Sequence, residues 1–143
     1  MFKDRVLIIE DNEDIRELLE ETFTDLGCEV KTAGDGDKGV EILNTWKPDL
    51  ILLDIMLPKS EGNKIDVDLG YEICRDLKSN VETRDIPILM LTARGQNKEA
   101  LKGYDLGADD YVIKPYTEEI LVAKARVVLR RAKLRKYLDT TFF

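Results

Sequence analysis

The sequence predicts an α/β fold, a doubly wound open sheet of five parallel strands flanked by five helices. Short apolar runs alternate with helical patterns along the chain, which is typical of successive β-α-β units. Three of these runs are almost continuously apolar, as in strands that helices cover on both faces. The length of 143 residues fits one domain with a single core.

We predict the strands where the apolar runs lie, at residues 5–9, 29–32, 49–53, 86–91 and 110–113. The first, third and fourth strands contain the continuous apolar runs, so we place them inside the sheet. The second strand is more polar, with the sequence Glu-Val-Lys-Thr, and suits an edge. Right-handed crossovers through the helices would connect these strands.

The first two helices are predicted from apolar residues at helical spacing. The stripe of the first helix consists of Ile15, Leu18, Leu19, Thr22, Phe23 and Leu26. Gly27 follows this stripe and ends the helix. The second helix is predicted at residues 37–46, with Val40 and Leu43 facing inward. Gly39 lies inside it and is expected to cost ~1 kcal/mol relative to alanine, for a reason that the sequence does not reveal.

Three further helices are predicted in the second half of the chain. The stripe of the short third helix consists of Tyr71, Cys74 and Leu77. The fourth helix, at residues 98–106, is weakly patterned and ends at Gly107. The fifth helix, at residues 117–138, is the longest, and Thr117 is placed to cap its N-terminus.

Composition excludes several classes of function. The chain contains no histidine, so catalysis by a histidine acid or base and zinc bound by histidine are both excluded. The net charge of −7 argues against nucleic acid as a partner of the whole chain, although residues 120–138 carry only basic charges. Cys28 and Cys74 lack the spacing of a metal or redox motif, so we expect two reduced thiols in a cytoplasmic protein. No apolar run is long enough to cross a membrane, and we expect no membrane association.

Ionisable and hydroxyl groups follow four of the five predicted strands. Glu10 and Asp11 follow the first strand, Asp54 the third, Thr92 the fourth and Lys114 the fifth. Each group alone is compatible with an ordinary cap or loop residue. Together they fall on the edge of the sheet where this architecture binds its ligands, beyond the carboxyl ends of the strands.

The chemistry of these groups indicates phosphoryl transfer. Three carboxylates that converge repel one another unless a cation lies among them. Because no histidine or cysteine is close in sequence, the cation would be a hard one, Mg²⁺ or Mn²⁺. Lys114 adds a positive charge and Thr92 a neutral donor, so a tetrahedral anion could be held while a carboxylate attacks it.

The motifs at the strand ends resemble those of the receiver domains of response regulators in two-component signalling. These motifs are Glu10-Asp11, Asp54-Ile-Met-Leu-Pro58, Thr92-Ala93 and Tyr111-Val-Ile-Lys114-Pro115. The resemblance implies a flavodoxin-like sheet with strand order 2-1-3-4-5. It implies a receiver domain at residues 1–131, followed by a helical extension at residues 132–143. The predicted fifth helix resembles that of receivers from winged-helix transcriptional regulators, and a stand-alone receiver is the alternative.

The resemblance also implies a role for each site residue. Asp54 would be the phosphoacceptor, and Lys114 and Thr92 would contact the phosphoryl group. Mg²⁺, with Mn²⁺ as the alternative, would be held by Glu10, Asp11, Asp54 and the main-chain carbonyl of Met56. A cis peptide bond would precede Pro115. The phosphoryl donor would be a histidine kinase or a histidine phosphotransfer protein, and the domain would catalyse only its own phosphorylation and dephosphorylation.

Switching would follow from the same resemblance. Thr92 would move toward the phosphoryl group, and Tyr111 would turn from an exposed to a buried position, changing the face formed by the fourth helix, fifth strand and fifth helix. Met56 and Arg94 would modulate dephosphorylation, which is expected to be slow. A phosphorylation-dependent homodimer could use this face, with Asp109, Asp110, Lys124 and Arg126 as candidate residues. A charged, solvated face is the alternative for these four residues.

The segment at residues 59–70 departs from the family pattern because it is about eight residues longer than expected. The alternation in Ile65-Asp-Val-Asp-Leu69 suggests a small hairpin or an extended lobe, which could shape partner docking or be a tolerated surface insertion.

Three alternative functions each require a feature that this sequence lacks. A phosphatase of the haloacid dehalogenase type would need an acid two residues after Asp54, where Met56 stands. A flavodoxin-like FMN carrier would need a phosphate-binding first loop, whereas this loop is acidic. Specific nucleic-acid binding by the basic helix would need base-reading or stacking groups, which the helix lacks.

Overall fold

A computed structural model describes residues 3–54, 57–58, 65–92 and 107–142. Its strands are β1 (Arg5–Ile9), β2 (Glu29–Ala33), β3 (Leu50–Asp54), β4 (Leu57–Pro58), β5 (Ile65–Asp66), β6 (Ile88–Thr92) and β7 (Asp110–Ile113). Its helices are α1 (Glu13–Asp25), α2 (Gly36–Leu43), α3 (Val67–Ser79) and α4 (Glu118–Phe142). The predicted helix at residues 98–106 lies outside the described part of the chain, so α4 is the helix that was predicted as the fifth.

The main sheet has the strand order β2-β1-β3-β6-β7, and all of its neighbouring strands are parallel. β6 and β7 are the predicted fourth and fifth strands, so the predicted order 2-1-3-4-5 is confirmed. The predicted polar edge strand is β2, and it does lie at an edge. The doubly wound α/β fold is therefore confirmed.

The two strands that lead into the candidate site begin and end slightly later than predicted. β3 is Leu50–Asp54 rather than residues 49–53, and β6 is Ile88–Thr92 rather than residues 86–91. Asp49, just before β3, is hydrogen-bonded to Arg5 twice: its main-chain nitrogen donates to the carbonyl oxygen of Arg5 at 2.7 Å, and its carboxylate accepts from the main-chain nitrogen of Arg5 at 2.7 Å. Asp54 is the last residue of β3 and lies in register with Leu91. The backbone of this aspartate is therefore held by the sheet.

The core consists of two apolar layers, one on each face of the sheet. On one face, α1 contributes Leu19 and Phe23, and α4 contributes a row that begins at Leu121 and includes Val128. On the other face, residues of α2 and α3 surround β1, β3 and β6, with Cys74 fully buried. Strands that are covered on both faces must be apolar throughout, which explains the three continuous apolar runs.

The apolar stripes of α1 and α2 were only partly predicted. Leu18 of α1 is 62% exposed, and Leu26, just after the helix, is 43% exposed, so the buried stripe is narrower than predicted. In α2, Val40 is 46% exposed rather than inward-facing. The helix is rotated because Gly36 and Gly39 form its buried face and allow it to lie close to its neighbours. The helix also ends at Leu43, earlier than the predicted residue 46.

Gly39 permits the close packing of α2 against β1. A Cβ atom built on Gly39 would lie 2.6 Å from Cδ1 and 3.1 Å from Cγ1 of Ile9, which is 1% exposed. We expect Gly39→Val to lower the free energy of unfolding by about 2 kcal/mol, because the buried side chain of Ile9 has little room to move. Denaturation in urea would measure this loss. Glu41→Val, on the exposed surface of the same helix, should change stability by less than about 1 kcal/mol. Equal effects of the two substitutions would contradict the packing explanation.

A short antiparallel hairpin lies between β3 and α3. Leu57–Pro58 pairs with Ile65–Asp66, so the predicted hairpin is present. The strand ends sooner than the alternation at residues 65–69 indicated, because α3 already begins at Val67. The predicted stripe of the third helix begins at Tyr71, whereas the helix itself begins four residues earlier. The remainder of the insertion, at residues 59–64, lies outside the described residues.

The last helix is longer than predicted. α4 begins after Thr117, whose hydroxyl oxygen accepts a hydrogen bond from the main-chain nitrogen of Ile120 at 3.3 Å, as expected of a cap. It runs without interruption to Phe142, through most of the predicted extension. Ion pairs from Lys133 to Asp4 at 2.8 Å and from Arg135 to Asp109 at 3.3 Å attach this extension to the domain. None of the helices among the described residues combines the length and apolarity needed to span a bilayer.

Candidate functional site

Three carboxylates converge beyond the carboxyl ends of β1 and β3. Glu10 and Asp11 directly follow β1, and Asp54 ends β3. One carboxylate oxygen from each residue lies within 4.8 Å of the others. Glu10 is 1% exposed and Asp54 is 2% exposed, whereas Asp11 is open to solvent. The structure therefore brings together the three acids that the sequence placed at these strand ends.

The loop after β1 holds its two acids through main-chain contacts. The main-chain nitrogen of Glu10 donates to the carbonyl oxygen of Ala33 at 3.0 Å, which extends the pairing of β1 with β2. Asn12 caps α1, and its side-chain oxygen accepts from the main-chain nitrogen of Ile15 at 3.0 Å. Asp11 therefore lies immediately before the N-terminus of α1.

Lys114 contacts the acidic cluster through Asp54. Its Nζ lies 3.0 Å from Oδ2 of Asp54. The backbone of Lys114 is tied to β6, because its nitrogen donates to the carbonyl oxygen of Thr92 at 2.7 Å. The peptide bond between Lys114 and Pro115 is cis, as expected. Thr92 ends β6 and is 2% exposed, so its position beside β3 and β7 is fixed by the sheet.

Glu10 is in an unfavourable environment for a negative charge. Burial raises its pKa to about 9, and the hydrogen bond and negative charge of Asp54 add to this increase, whereas Lys114 opposes it. Its Oε2 atom is buried and has no hydrogen-bond partner among the described residues. A buried carboxylate oxygen without a partner is costly unless a proton or a cation satisfies it.

The raised pKa of Glu10 makes stability depend on pH. Between its ordinary value of 4.5 and about 9, folded Glu10 keeps a proton that the unfolded chain releases. The stability present at low pH should therefore decrease as pH rises, by up to about 1.4 kcal/mol per pH unit. Glu10→Gln should remove this contribution, and Glu20→Gln, on the exposed face of α1, should not. Urea denaturation in a chelator between about pH 5 and 8 would measure both variants. If Glu10→Gln left the pH dependence of stability unaltered, the raised pKa of Glu10 would be contradicted.

The donor set fits a hard divalent cation. Glu10, Asp11 and Asp54 offer oxygen atoms only, which Mg²⁺ and Mn²⁺ prefer. A cation at this position would also satisfy Oε2 of Glu10 and reduce the repulsion among the three carboxylates. The fourth predicted ligand, the main-chain carbonyl of Met56, lies outside the described residues.

Tyr111, the predicted switch residue, is half-buried on β7 and packs against the core layer of α2 and α3. Lys124 of α4 donates from Nζ to the carbonyl oxygen of Tyr111 at 2.8 Å, and the same Nζ lies 5.0 Å from the centre of its ring. Tyr111 therefore lies on β7 in contact with Lys124 of α4. Arg94, which together with Met56 was predicted to modulate dephosphorylation, lies outside the described residues.

Three of the four candidate dimer residues make contacts within the chain. Asp109 accepts hydrogen bonds from Lys78 at 3.0 Å and from the main-chain nitrogen of Ile88 at 2.8 Å. Asp110 forms an ion pair with Lys124 at 3.6 Å. Arg126 is exposed. The phosphorylation-dependent dimer and its alternative, a charged and solvated face, both stay predictions.

Sequence reasoning missed two residues beside the acidic cluster. Tyr116, two residues after Lys114, is half-buried, and its pKa is raised to about 12 by burial and by the negative charges of Glu10 and Asp54. Arg16 of α1 donates from Nη1 to the carbonyl oxygen of Glu10 at 3.0 Å. Tyr116 could have been found from its position next to Pro115, whereas Arg16 reads as an ordinary helix residue.

Comparison with known proteins identifies the family to which these features correspond. Residues 6–126 match the family described as the response regulator receiver domain. This range includes both helices that flank β1 and extends into α4, so the match covers most of the chain. It contains every residue of the acidic cluster together with Thr92 and Lys114.

Two curated relatives are transcriptional regulators. The DNA-binding dual master transcriptional regulator RpaA of Synechocystis sp. is 42% identical over 127 residues, which are 89% of this chain and 49% of that protein. The transcriptional regulatory protein AfsQ1 of Streptomyces coelicolor is 40% identical over 138 residues, which are 96% of this chain and 56% of that protein. The chain thus spans about half the length of these relatives.

A solved structure has the same fold. The crystal structure of a putative response regulator from Chloroflexus aurantiacus is 31% identical, with a TM-score of 0.80. The alignment covers 90% of this chain and 99% of that one. The sheet order and the arrangement of helices described above are therefore those of a known class of domains.

Proposed function

Because the chain belongs to the response regulator receiver domain family, we propose that it is a phosphorylation switch in which Asp54 accepts a phosphoryl group. The donor would be a phosphohistidine on a histidine kinase or on a histidine phosphotransfer protein. The observation that carries the proposal is the 3.0 Å contact between Lys114 Nζ and Oδ2 of Asp54, beside the cluster of three acids. A nucleophilic carboxylate, a fixed positive charge and a cation site are the components that phosphoryl transfer requires.

Asp54 acts as the nucleophile. One of its carboxylate oxygens attacks the phosphorus, the bond from phosphorus to the imidazole nitrogen breaks, and the leaving imidazole retains the electron pair and takes up a proton. The product is an acyl phosphate on Asp54, which water hydrolyses slowly. Asp54 is buried at the end of β3, so its direction of attack is fixed. The reaction therefore avoids the entropy cost of orienting a free carboxylate.

The other residues of the site stabilise the charge that moves onto the phosphoryl oxygens. Lys114 lies close enough to Asp54 to contact a phosphoryl oxygen after transfer, and Thr92 offers a neutral hydroxyl donor. Glu10, Asp11 and Asp54 would hold Mg²⁺, with Mn²⁺ as the alternative. Such an ion supplies two positive charges that offset the acids and the phosphoryl group.

Phosphorylation would change the face formed by β7 and α4. The phosphoryl group adds roughly −1.5 to −2 charges and three acceptor oxygens at the end of β3. Thr92 would turn to donate to one of them, and Tyr111 would follow into the space that this movement opens. A packed aromatic ring with two rotamers is an element with two states, which suits a switch.

The domain is proposed to be a signalling component rather than an enzyme, because it catalyses only its own phosphorylation and dephosphorylation. The names of the relatives support an output in the control of transcription. The free thiols of Cys28 and Cys74 are compatible with the expected cytoplasmic location.

Incubation of the protein with Mg²⁺ and acetyl phosphate tests the proposal. We expect a mass increase of one phosphoryl group per chain, which peptide mapping locates on Asp54. A chelator should prevent the labelling. Labelling at another residue, or labelling that is independent of a divalent cation, would contradict the proposal. Turnover of a small phosphate ester would favour a phosphatase instead.

A further inference from the structure

We propose that Arg16 is a positioning residue of the cation site, which holds the backbone of Glu10 and Asp11 so that their carboxylates face Asp54. The inference rests on the cation binding proposed above. Arg16 lies on the first turns of α1 and is half-buried. Its guanidinium does not need to touch the cation to act in this way, because groups behind the ligands determine where the ligands point.

The contacts of Arg16 are made with main-chain atoms of the two acidic residues. Nη1 donates to the carbonyl oxygen of Glu10 at 3.0 Å and, more weakly, to that of Asp11 at 3.4 Å. One guanidinium nitrogen therefore contacts two consecutive carbonyl groups of the loop between β1 and α1. Because a hydrogen bond from a charged donor is stronger than one between neutral groups, these contacts restrain the loop.

The guanidinium also lies close to Gly34, the residue that follows β2. A Cβ atom built on Gly34 would lie 3.1 Å from Nη1 of Arg16, so the missing side chain leaves space for the guanidinium. The residue before this glycine, Ala33, accepts the hydrogen bond from the main-chain nitrogen of Glu10. Glu10 is thus fixed at its nitrogen by β2 and at its carbonyl by Arg16, and only its side chain remains to be oriented.

The charge of Arg16 is placed differently from that of Lys114. Lys114 contacts a carboxylate of the cluster directly, so its charge competes with a cation for Asp54. Arg16 donates to carbonyl oxygens and leaves the carboxylate oxygens of Glu10 and Asp11 available. Removing Arg16 should therefore weaken cation binding, because the loop loses its restraint. It would not make any further carboxylate oxygen available to the cation.

Calorimetric titration with Mg²⁺ alone tests the proposal at a temperature well below unfolding. Arg16→Met keeps the apolar stem and removes the guanidinium, and we expect it to raise the Kd for Mg²⁺ about tenfold. Arg16→Lys keeps the charge but lacks the planar fork, so it should recover only part of the affinity. Arg130→Met, which removes a charge from the exposed surface of α4, should leave the Kd unchanged. Circular dichroism would confirm that each variant is folded.

Labelling with acetyl phosphate separates positioning from a general loss of structure. At saturating Mg²⁺ the rate for Arg16→Met should return to within about threefold of the unsubstituted protein, because bound cation restores the ligand geometry. If Arg16→Met leaves the Kd unchanged, the inference fails while the proposed function stands. Complete recovery of the affinity by Arg16→Lys would also overturn the inference, since the charge would then suffice. If the unsubstituted protein binds no Mg²⁺, the proposed function fails and the inference fails with it.

Discussion

Asp54→Asn is expected to abolish labelling by acetyl phosphate and, at the same time, to stabilise the cation-free protein. An amide oxygen is a poor nucleophile, and no other carboxylate of the cluster lies at the end of β3 against Lys114. Stability should increase by about 1 kcal/mol or more, because the substitution removes one negative charge from a cluster of three acids that repel one another. The amide oxygen can still accept a hydrogen bond from Lys114.

Intact-protein mass spectrometry and urea denaturation would measure the two effects of Asp54→Asn. Asp37→Asn is the matched control, because it removes the same charge from the exposed surface of α2. This control should be labelled at the normal rate and should not gain the same stability. Labelling of Asp54→Asn above background would show that another residue is the phosphoacceptor. A loss of stability in the chelated protein would contradict the electrostatic description of the cluster.

Lys114→Met is expected to have two opposite effects, slower phosphorylation and tighter cation binding. The substitution removes the positive charge 3.0 Å from Oδ2 of Asp54. Loss of a single group that stabilises charge in the transition state typically lowers the rate about 10²–10³-fold. In contrast, the affinity for Mg²⁺ should rise several-fold, because the ammonium group no longer competes for the carboxylates.

The rate of labelling at saturating Mg²⁺ and the Kd for Mg²⁺ would be measured on the same preparation of Lys114→Met. Lys136→Met, which removes a charge from the exposed surface of α4, controls for the change in net charge. If Lys114→Met weakened Mg²⁺ binding, Lys114 would have a structural role in the cluster rather than the competing role that we infer. A normal labelling rate would exclude Lys114 from phosphoryl transfer.

The fold and the main site residues could be predicted because both depend on short-range patterns. A strand covered on both faces must be apolar, and its end is marked by the first polar residue, so Asp54 and Thr92 were recognisable at strand ends. Parallel strands bring their carboxyl ends to one edge, so the topology alone places these residues together. The convergence of the acids on one edge followed from the parallel topology, whereas the strand order came from the resemblance to receiver domains.

Features that depend on the close approach of elements could not be predicted. Val40 is an apolar residue of the kind expected at a buried helix position. The small size of Gly36 and Gly39 nevertheless brings another side of α2 against the sheet. The start of α3 at Val67 was hidden because the preceding alternation is equally compatible with a strand. A pattern of residue types does not reveal which side of a helix offers the tighter fit.

The contacts of Arg16 and Asp109 were also invisible in the sequence. Both side chains act through main-chain atoms, Arg16 at the carbonyls of the acidic loop and Asp109 at the nitrogen of Ile88. Because every residue has the same backbone, such contacts leave no trace in the choice of the partner residue. Asp109 was consequently read as a surface charge, although it links α3, β6 and α4 within the chain.

The most direct test is a crystal structure of the protein with Mn²⁺ and a trifluoroberyllate mimic of the phosphoryl group. We expect the anomalous signal of one Mn²⁺ among the carboxylates of Glu10, Asp11 and Asp54, and the mimic bonded to Asp54 within reach of Lys114 and Thr92. A cation bound elsewhere, with Asp54 unmodified, would contradict the account.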